Sequence, residues 1–468
     1  MSLRPPTDAF LRHLDTSLPD VFGPVDPHYL EEPRGIFKGV AAVVARPRSV
    51  AEVSQILAAC NATNVGVIPY GGGTGLVGGQ VNEQPGALIL SLERMTKIRH
   101  VSADDQTMLV EAGAVLNDIQ AAADEKELLF PLSLASEGSC RIGGNLATNA
   151  GGVNVVRWGN TRDLCLGIEA VLADGTVFNG LKSLRKDNTG YDLRHLMIGS
   201  EGTLGVITAA QLRLFPKPVE VVTGLLDVGS PKDALQLLRL LQSVFAEMVS
   251  AFELIDATGV GFIRETLPEF PLPPVGAGKW KVLVELGGGK GSGLASRFEE
   301  VLADAMEAGL VEDGHIAQSE TQRQTIWNMR ETIPEANRLV GAISSHDISI
   351  PIGRIPEFIE AARKVIASLN ADFRINCFGH LGDGNLHFNV YPPKGRAKSE
   401  FGNSREDVKT TLHDLVHEFD GSFSAEHGVG RLKVTDLQKY GDPGKLAAIQ
   451  AIKAALDPNG ILNPGAVI

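Results

Sequence analysis

Apolar positions along the first half of the chain follow the spacing of strands in some segments and of helices in others. The apolar run over residues 41–45 precedes a segment with apolar residues three and four positions apart, which predicts a helix after the candidate N-cap Ser49. Another apolar run, over residues 65–70, predicts the next strand, and a glycine-rich loop follows it directly. Farther along, Asp174-Gly175 between two apolar segments predicts a β-hairpin.

The second half of the chain alternates predicted strands with predicted helices, which indicates an α+β domain in which helices cover a sheet. The composition changes at Phe215-Pro-Lys-Pro218, where we predict a domain boundary. The predicted elements are strands over residues 221–228 and 280–286 and helices over residues 233–245, 294–308 and 445–456.

Composition and charge exclude several classes of protein. The formal net charge of −13 argues against binding to nucleic acid or to anionic lipid, because both need a basic face. The four cysteines are isolated from one another, which predicts buried thiols in a reducing compartment. The N-terminal residues lack the apolar core of a secretory signal and no apolar run is long enough to span a membrane, so we expect a soluble, cytoplasmic protein.

Glycine is over-represented, with 52 of 468 residues, and it clusters in a few loops. Three loops rich in small residues lie beside predicted strands, over residues 71–79, 137–152 and 199–207. The bare backbone N–H groups of the first loop suit a phosphate, but that loop on its own is equally typical of a tight turn. It lacks the Gly-Lys-Ser/Thr of a P-loop and the helix that follows a Rossmann fingerprint. Three such loops together favour one extended ligand.

These three loops, in this order, resemble the FAD-binding domain of the vanillyl-alcohol oxidase or p-cresol methylhydroxylase type. The resemblance implies that the first loop holds the pyrophosphate and that the other two line the adenine and the isoalloxazine. Gly73 stands where several family members carry the histidine that attaches the flavin, so we expect non-covalent FAD. The residues that the resemblance assigns to FAD are Gly71, Gly72, Gly73, Thr74, Gly75, Leu76, Gly138, Gly143, Gly144, Asn145, Thr148, Gly152, Gly205, Ile207 and Asn463.

A second group of residues has the chemistry of a metal site. His380 and His387 flank a Gly-Asp-Gly turn, and the pair Glu426-His427 follows later in the chain. Imidazole together with carboxylate suits Zn²⁺, Mn²⁺ or Fe²⁺. The spacing does not match a helical histidine pair, so it leaves two interpretations open, a metal site and polar loop residues without a common role.

The segments over residues 377–389 and 424–430 resemble the signature of one branch of the same flavoprotein family. That branch holds D-2-hydroxyglutarate dehydrogenase, D-lactate dehydrogenase of the cytochrome or quinone type, and the glycolate oxidase D subunit. The resemblance covers nearly the whole chain and implies a divalent metal, typically zinc, with Mn²⁺ or Fe²⁺ as alternatives. The implied metal ligands are His380, His387 and Glu426. The implied catalytic residues are His427, as the general base, and Arg330, and the implied substrate-binding residues are Arg330, Asn389 and His427.

Two positions depart from the pattern of the D-2-hydroxyglutarate dehydrogenases. Pro334 stands where that pattern has a threonine, four residues after Arg330, and Ser345 stands where it has a lysine. The resemblance assigns both of the missing side chains to the distal carboxylate of a five-carbon diacid. Their loss favours a shorter or apolar 2-hydroxy acid such as D-lactate, and the sequence does not show whether His346 replaces the lost charge.

We therefore expect an FAD- and metal-dependent dehydrogenase that oxidises a D-2-hydroxy acid to the 2-oxo acid by hydride transfer to flavin N5. Its electron acceptor would be an electron-transfer flavoprotein, a quinone or a cytochrome, and we expect a homodimer. The alternatives are an oxidase that uses O₂, a flavin subunit of a glycolate oxidase-like complex, and a nucleotide-binding module without activity. The histidine–glutamate group argues against the last of these, because a binding module needs neither a base nor a metal.

The expected architecture is α+β. Residues 1–217 form a two-subdomain FAD-binding domain, and residues 218–425 form a substrate domain with an antiparallel sheet. The helical C-terminal segment, residues 426–468, returns to the FAD-binding domain.

Overall fold

In the computed structural model, which describes residues 3–468, the chain divides into two units. Unit 1 consists of the chain up to Gly151 together with Gly159–Lys217 and His427–Ile468. Unit 2 consists of Gly152–Trp158 and Pro218–Glu426. The division therefore lies at Lys217–Pro218, where the composition changes, and it assigns to unit 2 a short segment, residues 152–158, that the sequence analysis placed in the first domain.

Both units contain helices as well as strands, as expected for an α+β protein. In chain order they are α1 (Asp8–Ser17), α2 (Val50–Thr63), α3 (Leu116–Asp124), α4 (Ile142–Thr148), α5 (Val155–Trp158), α6 (Leu193–Met197), α7 (Pro231–Phe245), α8 (Ala257–Thr266), α9 (Leu294–Glu307), α10 (Glu320–Val340), α11 (Ile355–Leu369), α12 (Ser404–Glu418), α13 (Val434–Tyr440) and α14 (Pro443–Leu456). Short 3-10 turns lie at Pro27–Leu30, Ala246–Met248, Ile352–Arg354 and Lys398–Phe401.

The strands, in chain order, are β1 (Phe22–Gly23), β2 (Val44–Ala45), β3 (Gly66–Tyr70), β4 (Ala87–Ser91), β5 (Ile98–Ser102), β6 (Thr107–Glu111), β7 (Leu128–Leu129), β8 (Cys165–Val171), β9 (Val177–Asn179), β10 (Val206–Arg213), β11 (Phe215–Pro216), β12 (Glu220–Val228), β13 (Val249–Asp256), β14 (Trp280–Gly288), β15 (Asp313–Ile316), β16 (Ser344–Ser349), β17 (Arg374–His380) and β18 (Asn385–Tyr391).

Unit 1 contains the β-α-β arrangement that the first apolar pattern predicts. Helix α2 connects β2 to β3, and both strands run parallel to β4 in a sheet of order β1-β2-β4-β3. The Ser49 side chain accepts a hydrogen bond from the backbone N–H of Glu52, which confirms the predicted N-cap. Leu462 bridges to Val67 of β3 and is fully buried, so the end of the chain is part of this core.

A second sheet of unit 1 has the order β5-β6-β10-β8-β9. Strands β8 and β9 pair antiparallel on either side of Asp174-Gly175, which confirms the predicted hairpin. The three glycine-rich segments of this unit are the loop after β3, the segment that includes α4, and the loop between α6 and β10. Within residues 3–468, no helix combines the length and the apolar character needed to cross a membrane.

Unit 2 is built on a seven-stranded sheet of order β15-β12-β14-β13-β17-β18-β16, in which neighbouring strands are antiparallel. This confirms the predicted antiparallel sheet. Side chains alternate between its two faces, and α7, α9, α11 and α12 pack against one of them. Helices α8 and α10 pack against the other face, where they share a core with Phe378 of β17 and Tyr391 of β18. That second face is where the polar residues of the candidate site lie.

Candidate active site: a glycine-lined cleft and a histidine–carboxylate cluster

Unit 1 contains a cleft that is lined by residues of all three glycine-rich loops. Its lining also includes His427, which lies outside the three loops, and Arg141, a residue of the second loop that the sequence analysis did not assign to FAD. The predicted FAD residues that line it are Gly71, Gly72, Gly73, Thr74, Gly75, Gly143, Gly144, Asn145, Thr148, Gly205, Ile207 and Asn463.

Three residues that the sequence analysis assigned to FAD do not line this cleft. Leu76 lies between Gly75 and Val77, which do line the cleft, and Gly138 is exposed, with nothing within 4 Å of the position that a Cβ atom would take. Gly152 belongs to unit 2, where its backbone N–H donates a hydrogen bond of 2.7 Å to Oε1 of Glu426. The structure thus associates Gly152 with a predicted metal ligand.

The cleft has the properties that a flavin dinucleotide requires. A Cβ atom added to Gly72 would lie 2.2 Å from the carbonyl oxygen of Ser139, so the first and second loops approach each other at a distance that only glycine permits. Gly73 has a φ of +72°, a backbone conformation that favours glycine. The Oδ1 atom of Asn145 is a buried acceptor with no hydrogen-bond partner in the described chain, which suits a ligand that brings an N–H donor.

Residues after Glu426 bind the first and third loops of the cleft together. Asn463 donates from Nδ2 to the carbonyl oxygens of Gly79, at 3.0 Å, and of Glu201, at 2.8 Å. Arg431 donates to the carbonyl oxygen of Gly78 at 2.9 Å and to Oδ1 of Asn463 at 3.1 Å. Sequence reasoning missed Arg431, whose only signal is its place directly after Gly430.

The backbone next to His427 is held by one buried carboxylate. Glu201 is 9% exposed and accepts hydrogen bonds from the backbone N–H of Val429, at 2.7 Å, and of Gly430, at 2.8 Å. Burial raises the pKa of Glu201, and the two N–H donors act against that rise. The loop that carries the predicted general base is therefore fixed within unit 1.

Unit 2 brings the three predicted metal ligands together. One ligand atom from each of His380, His387 and Glu426 lies within 4.8 Å of the others. Nε2 of His380 is 3.6 Å from Oε1 of Glu426, and Nε2 of His387 is 4.0 Å from Oε2 of the same carboxylate. Zinc bonds of about 2.0–2.2 Å in a tetrahedron place ligand atoms about 3.3–3.6 Å apart. A divalent metal therefore fits this donor set if the distances between the ligand atoms shorten slightly.

Glu253 connects this group to Arg330, and sequence reasoning missed it. Glu253 lies on β13, is 0% exposed, and places Oε1 2.5 Å from Nδ1 of His380. Its Oε2 accepts a hydrogen bond of 2.6 Å from Nε of Arg330 on α10. Burial raises the pKa of Glu253, but the charges of His380 and Arg330 outweigh burial and lower it below its usual range. The one signal in the sequence is a glutamate in the interior of the apolar strand Val249–Asp256, whose other acid is the last residue of the strand.

Asp347 supports the other two ligands. It lies opposite His387 in the register of β16 and β18, with Oδ1 4.0 Å from Nδ1 of that histidine. Its Oδ2 accepts a hydrogen bond of 3.0 Å from the backbone N–H of Glu426, and its Oδ1 accepts one of 2.9 Å from Nδ2 of Asn385. Each of the three candidate ligands therefore has a second polar group next to it.

The remaining substrate-binding predictions, Arg330 on α10 and Asn389 on β18, also lie in unit 2. The guanidinium of Arg330 stacks over the ring of Phe378, with Cζ 4.9 Å from the ring centroid. Asn389 is 7% exposed, lies two residues after His387 on β18, and accepts a hydrogen bond of 3.2 Å from the backbone N–H of His346. The Nδ1 atom of His346 lies 3.2 Å from Nε2 of His413 in the interior of unit 2.

The two positions that depart from the diacid pattern are both exposed. Pro334 is an exposed residue inside α10, one turn after the buried Arg330, and Ser345 is exposed on β16. Neither position offers a cation that could bind a second carboxylate.

Comparisons with known proteins agree with the predicted resemblance. The family described as FAD linked oxidases, C-terminal domain, matches residues 217–467, and the family described as FAD binding domain matches residues 41–180. A probable mitochondrial D-2-hydroxyglutarate dehydrogenase of Oryza sativa subsp. indica is 38% identical over 435 residues, which are 93% of this chain and 76% of that protein. A D-2-hydroxyglutarate dehydrogenase of Xanthomonas citri pv. viticola is 38% identical over 427 residues, which are 90% of this chain and 88% of that protein.

Among solved structures, that of p-cresol methylhydroxylase with substrate bound superposes with a TM-score of 0.76 at 17% identity. The superposition covers 100% of this chain and 98% of that one, which shows that the two proteins share a fold. The predicted fold type is thus confirmed.

Proposed function

Since the chain belongs to the FAD-linked oxidase family that includes the D-2-hydroxyglutarate dehydrogenases, we propose that it oxidises a D-2-hydroxy acid to the 2-oxo acid with the help of a divalent metal. The observation that carries the proposal is the group formed by His380, His387 and Glu426, with Arg330 linked to it through Glu253. The guanidinium of Arg330 is a cation that matches the carboxylate of a 2-hydroxy acid. The two imidazoles and the carboxylate match a divalent metal, which in turn suits the hydroxyl oxygen.

Each residue has a defined task in the proposed reaction. Arg330 binds the substrate carboxylate with the outer edge of its guanidinium, because Nε already donates to Glu253. His427, which lines the cleft of unit 1, accepts the hydroxyl proton at a ring nitrogen. When bound, FAD provides the acceptor for the hydride and the metal provides a Lewis acid that makes the alkoxide accessible near neutral pH. Loss of one proton and one hydride converts the hydroxy acid to the oxo acid.

We further propose a short or apolar D-2-hydroxy acid, such as D-lactate, in preference to a five-carbon diacid. The exposed Pro334 and Ser345 support this preference, since neither side chain carries the charge that a distal carboxylate would need. The relatives named above are D-2-hydroxyglutarate dehydrogenases, so the diacid is the competing substrate.

The test is anaerobic bleaching of the flavin by a panel of D- and L-lactate, glycolate and D-2-hydroxyglutarate. We expect D-lactate to bleach the flavin faster than its L-enantiomer and faster than the diacid. Bleaching by the diacid alone would contradict the proposed chain length, and no bleaching by any 2-hydroxy acid would contradict the function. Rapid reoxidation of the reduced flavin in air would instead indicate an oxidase.

A matched pair of variants tests the role of Arg330. Arg330→Lys should raise the KM for the hydroxy acid, because an ammonium group cannot bind a carboxylate at two points. Arg323→Lys is the control, since Arg323 lies on the same helix and donates at 2.8 Å to a different acid, Glu285. Equal KM values for the two variants would remove Arg330 from substrate binding.

A further inference from the structure

We propose that Glu253 is a positioning residue that serves the metal ligand His380 and the carboxylate-binding Arg330 at the same time. The inference rests on the proposed function and extends it, because it makes one buried carboxylate responsible for two separate binding steps. Glu253 lies outside the glycine-rich loops and the histidine segments that the sequence analysis singled out.

The fold leaves Glu253 little freedom. It is fully buried, and the register of β13 and β17 places it directly beside His380. Its two oxygens are both engaged, Oε1 with Nδ1 of His380 at 2.5 Å and Oε2 with Nε of Arg330 at 2.6 Å. A carboxylate with two acceptor oxygens can hold both partners in fixed directions.

The first consequence concerns the metal. An acceptor at Nδ1 of His380 keeps a proton on that nitrogen and turns the lone pair of Nε2 toward the metal position. In this structure Nε2 lies 3.6 Å from Oε1 of Glu426, on the side of the other candidate ligands. Glu253 thus sets both the tautomer and the orientation of the ring.

The second consequence concerns the substrate. Glu253 binds Nε, the inner nitrogen of the Arg330 guanidinium, and Phe378 lies against its face at 4.9 Å. These two contacts fix the plane of the group and leave the edge formed by the two Nη atoms for a carboxylate. The distance between the two binding groups is therefore set by one side chain.

Glutamine cannot replace this arrangement, although it has the same shape. Its amide has one acceptor oxygen and one NH₂ donor, so it can accept from only one of the two partners. If the oxygen faces Arg330, the NH₂ group faces Nδ1 of His380. It then favours the tautomer with its proton on Nε2, and a protonated Nε2 has no lone pair for a metal. If the amide turns over, the NH₂ group faces the Nε–H of Arg330, and the hydrogen bond that holds the guanidinium is lost.

The test measures Zn²⁺ affinity by competition with a chromophoric chelator on the flavin-loaded protein, so it does not depend on turnover. We expect Glu253→Gln to weaken Zn²⁺ binding by about 10–100-fold, the usual effect of removing a group behind a metal-binding histidine. The KM for the hydroxy acid should rise in the same variant, while the absorption spectrum of the bound flavin stays that of the wild type. Co²⁺ in place of Zn²⁺ should show an altered visible spectrum in the variant.

Glu285→Gln is the matched control. Glu285 is also a buried glutamate of this sheet, on the neighbouring β14, and it accepts hydrogen bonds from Nε of Arg323 at 2.8 Å and from Nε1 of Trp327 at 2.7 Å, both on α10. It contacts no candidate ligand, so its loss should leave Zn²⁺ affinity and the Co²⁺ spectrum unchanged. Equal losses of metal affinity in both variants would show that removing any carboxylate between sheet and helix weakens the metal site, which would overturn the proposal.

Three further outcomes are decisive. If Glu253→Gln does not fold, Glu253→Asp replaces it in the test, because a shorter carboxylate keeps the charge but reaches only one partner, and an unchanged Zn²⁺ affinity together with an unchanged KM in that variant overturns the proposal. A wild-type protein that binds no Zn²⁺ would refute the metal dependence of the proposed function and the positioning role with it. A wild-type protein that binds Zn²⁺ with the same affinity as Glu253→Gln would refute the positioning role alone.

Discussion

Replacing Gly72 by alanine adds one methyl group at a point where two loops of unit 1 meet through their backbones. The new Cβ atom would lie 2.2 Å from the carbonyl oxygen of Ser139 and 3.0 Å from Cα of Cys140. The shorter distance is 1.2 Å below the 3.4 Å at which ordinary van der Waals contact begins. No side chain can rotate away, so the first loop has to move relative to the second. Overpacking of this kind costs about 1–3 kcal/mol.

That cost should be visible in FAD binding, because the same two loops line the cleft. If the whole cost falls on the bound form, FAD affinity drops about 5- to 150-fold. The assay is a titration of the flavin-free protein with FAD, followed by the quenching of flavin fluorescence. Gly138→Ala is the control, since its methyl group would meet nothing within 4 Å. Equal FAD affinity for Gly72→Ala and the wild type would refute the argument from close approach.

Four other outcomes can be measured on the same protein. His427→Ala should keep FAD but slow its reduction by substrate at least about 10²-fold in stopped-flow experiments, and an unchanged rate would exclude His427 as the base. Dialysis against EDTA should abolish turnover until Zn²⁺ or Mn²⁺ is added, and full activity without metal would reject the metal site. Burial raises the pKa of the Cys60, Cys165 and Cys377 thiols to about 12, so the folded protein should leave Ellman's reagent unreacted at pH 8 and should expose its four thiols only on denaturation. Lys281→Met leaves the buried Asp227 without its ion-pair partner, although the backbone N–H of Gly278 still donates to it, and should lower the free energy of unfolding by about 3–5 kcal/mol in urea titrations. Lys182→Met, at an exposed ion pair, should change it little.

Much of the fold follows from local pattern. The N-cap at Ser49, the hairpin at Asp174-Gly175 and the helix α7 each depend on residues a few positions apart, which one sequence displays directly. The assignment of residues 152–158 to unit 2 has no such signal. Helix α5, within that segment, packs against β13, about a hundred residues later in the chain, and nothing in its own composition indicates that partner.

The candidate site likewise contains some residues that the sequence indicates and others that it does not. His380, His387 and Glu426 were found because loops rich in glycine and histidine have a recognisable sequence. Glu253 was missed because its partners lie 77 and 127 residues away and become neighbours only through strand register and the packing of α10. Gly138 and Gly152 belong to the same small-residue pattern as the residues that line the cleft. Whether each of them reaches the cleft depends on the path of the backbone, which composition does not specify.

The anchoring of the first glycine loop by Arg431 and Asn463 has a consequence for how the protein is made. These residues are translated after the whole of Pro218–Glu426, although they complete the unit that contains Gly78 and Gly79. At about 5–20 residues per second, a ribosome needs roughly 10–40 s to pass through that stretch. During this interval the nascent glycine loops lack their final contacts, so flavin capture should follow, rather than accompany, the synthesis of unit 2. A pulse-chase experiment would see stable flavin retention only in chains that extend through Asn463.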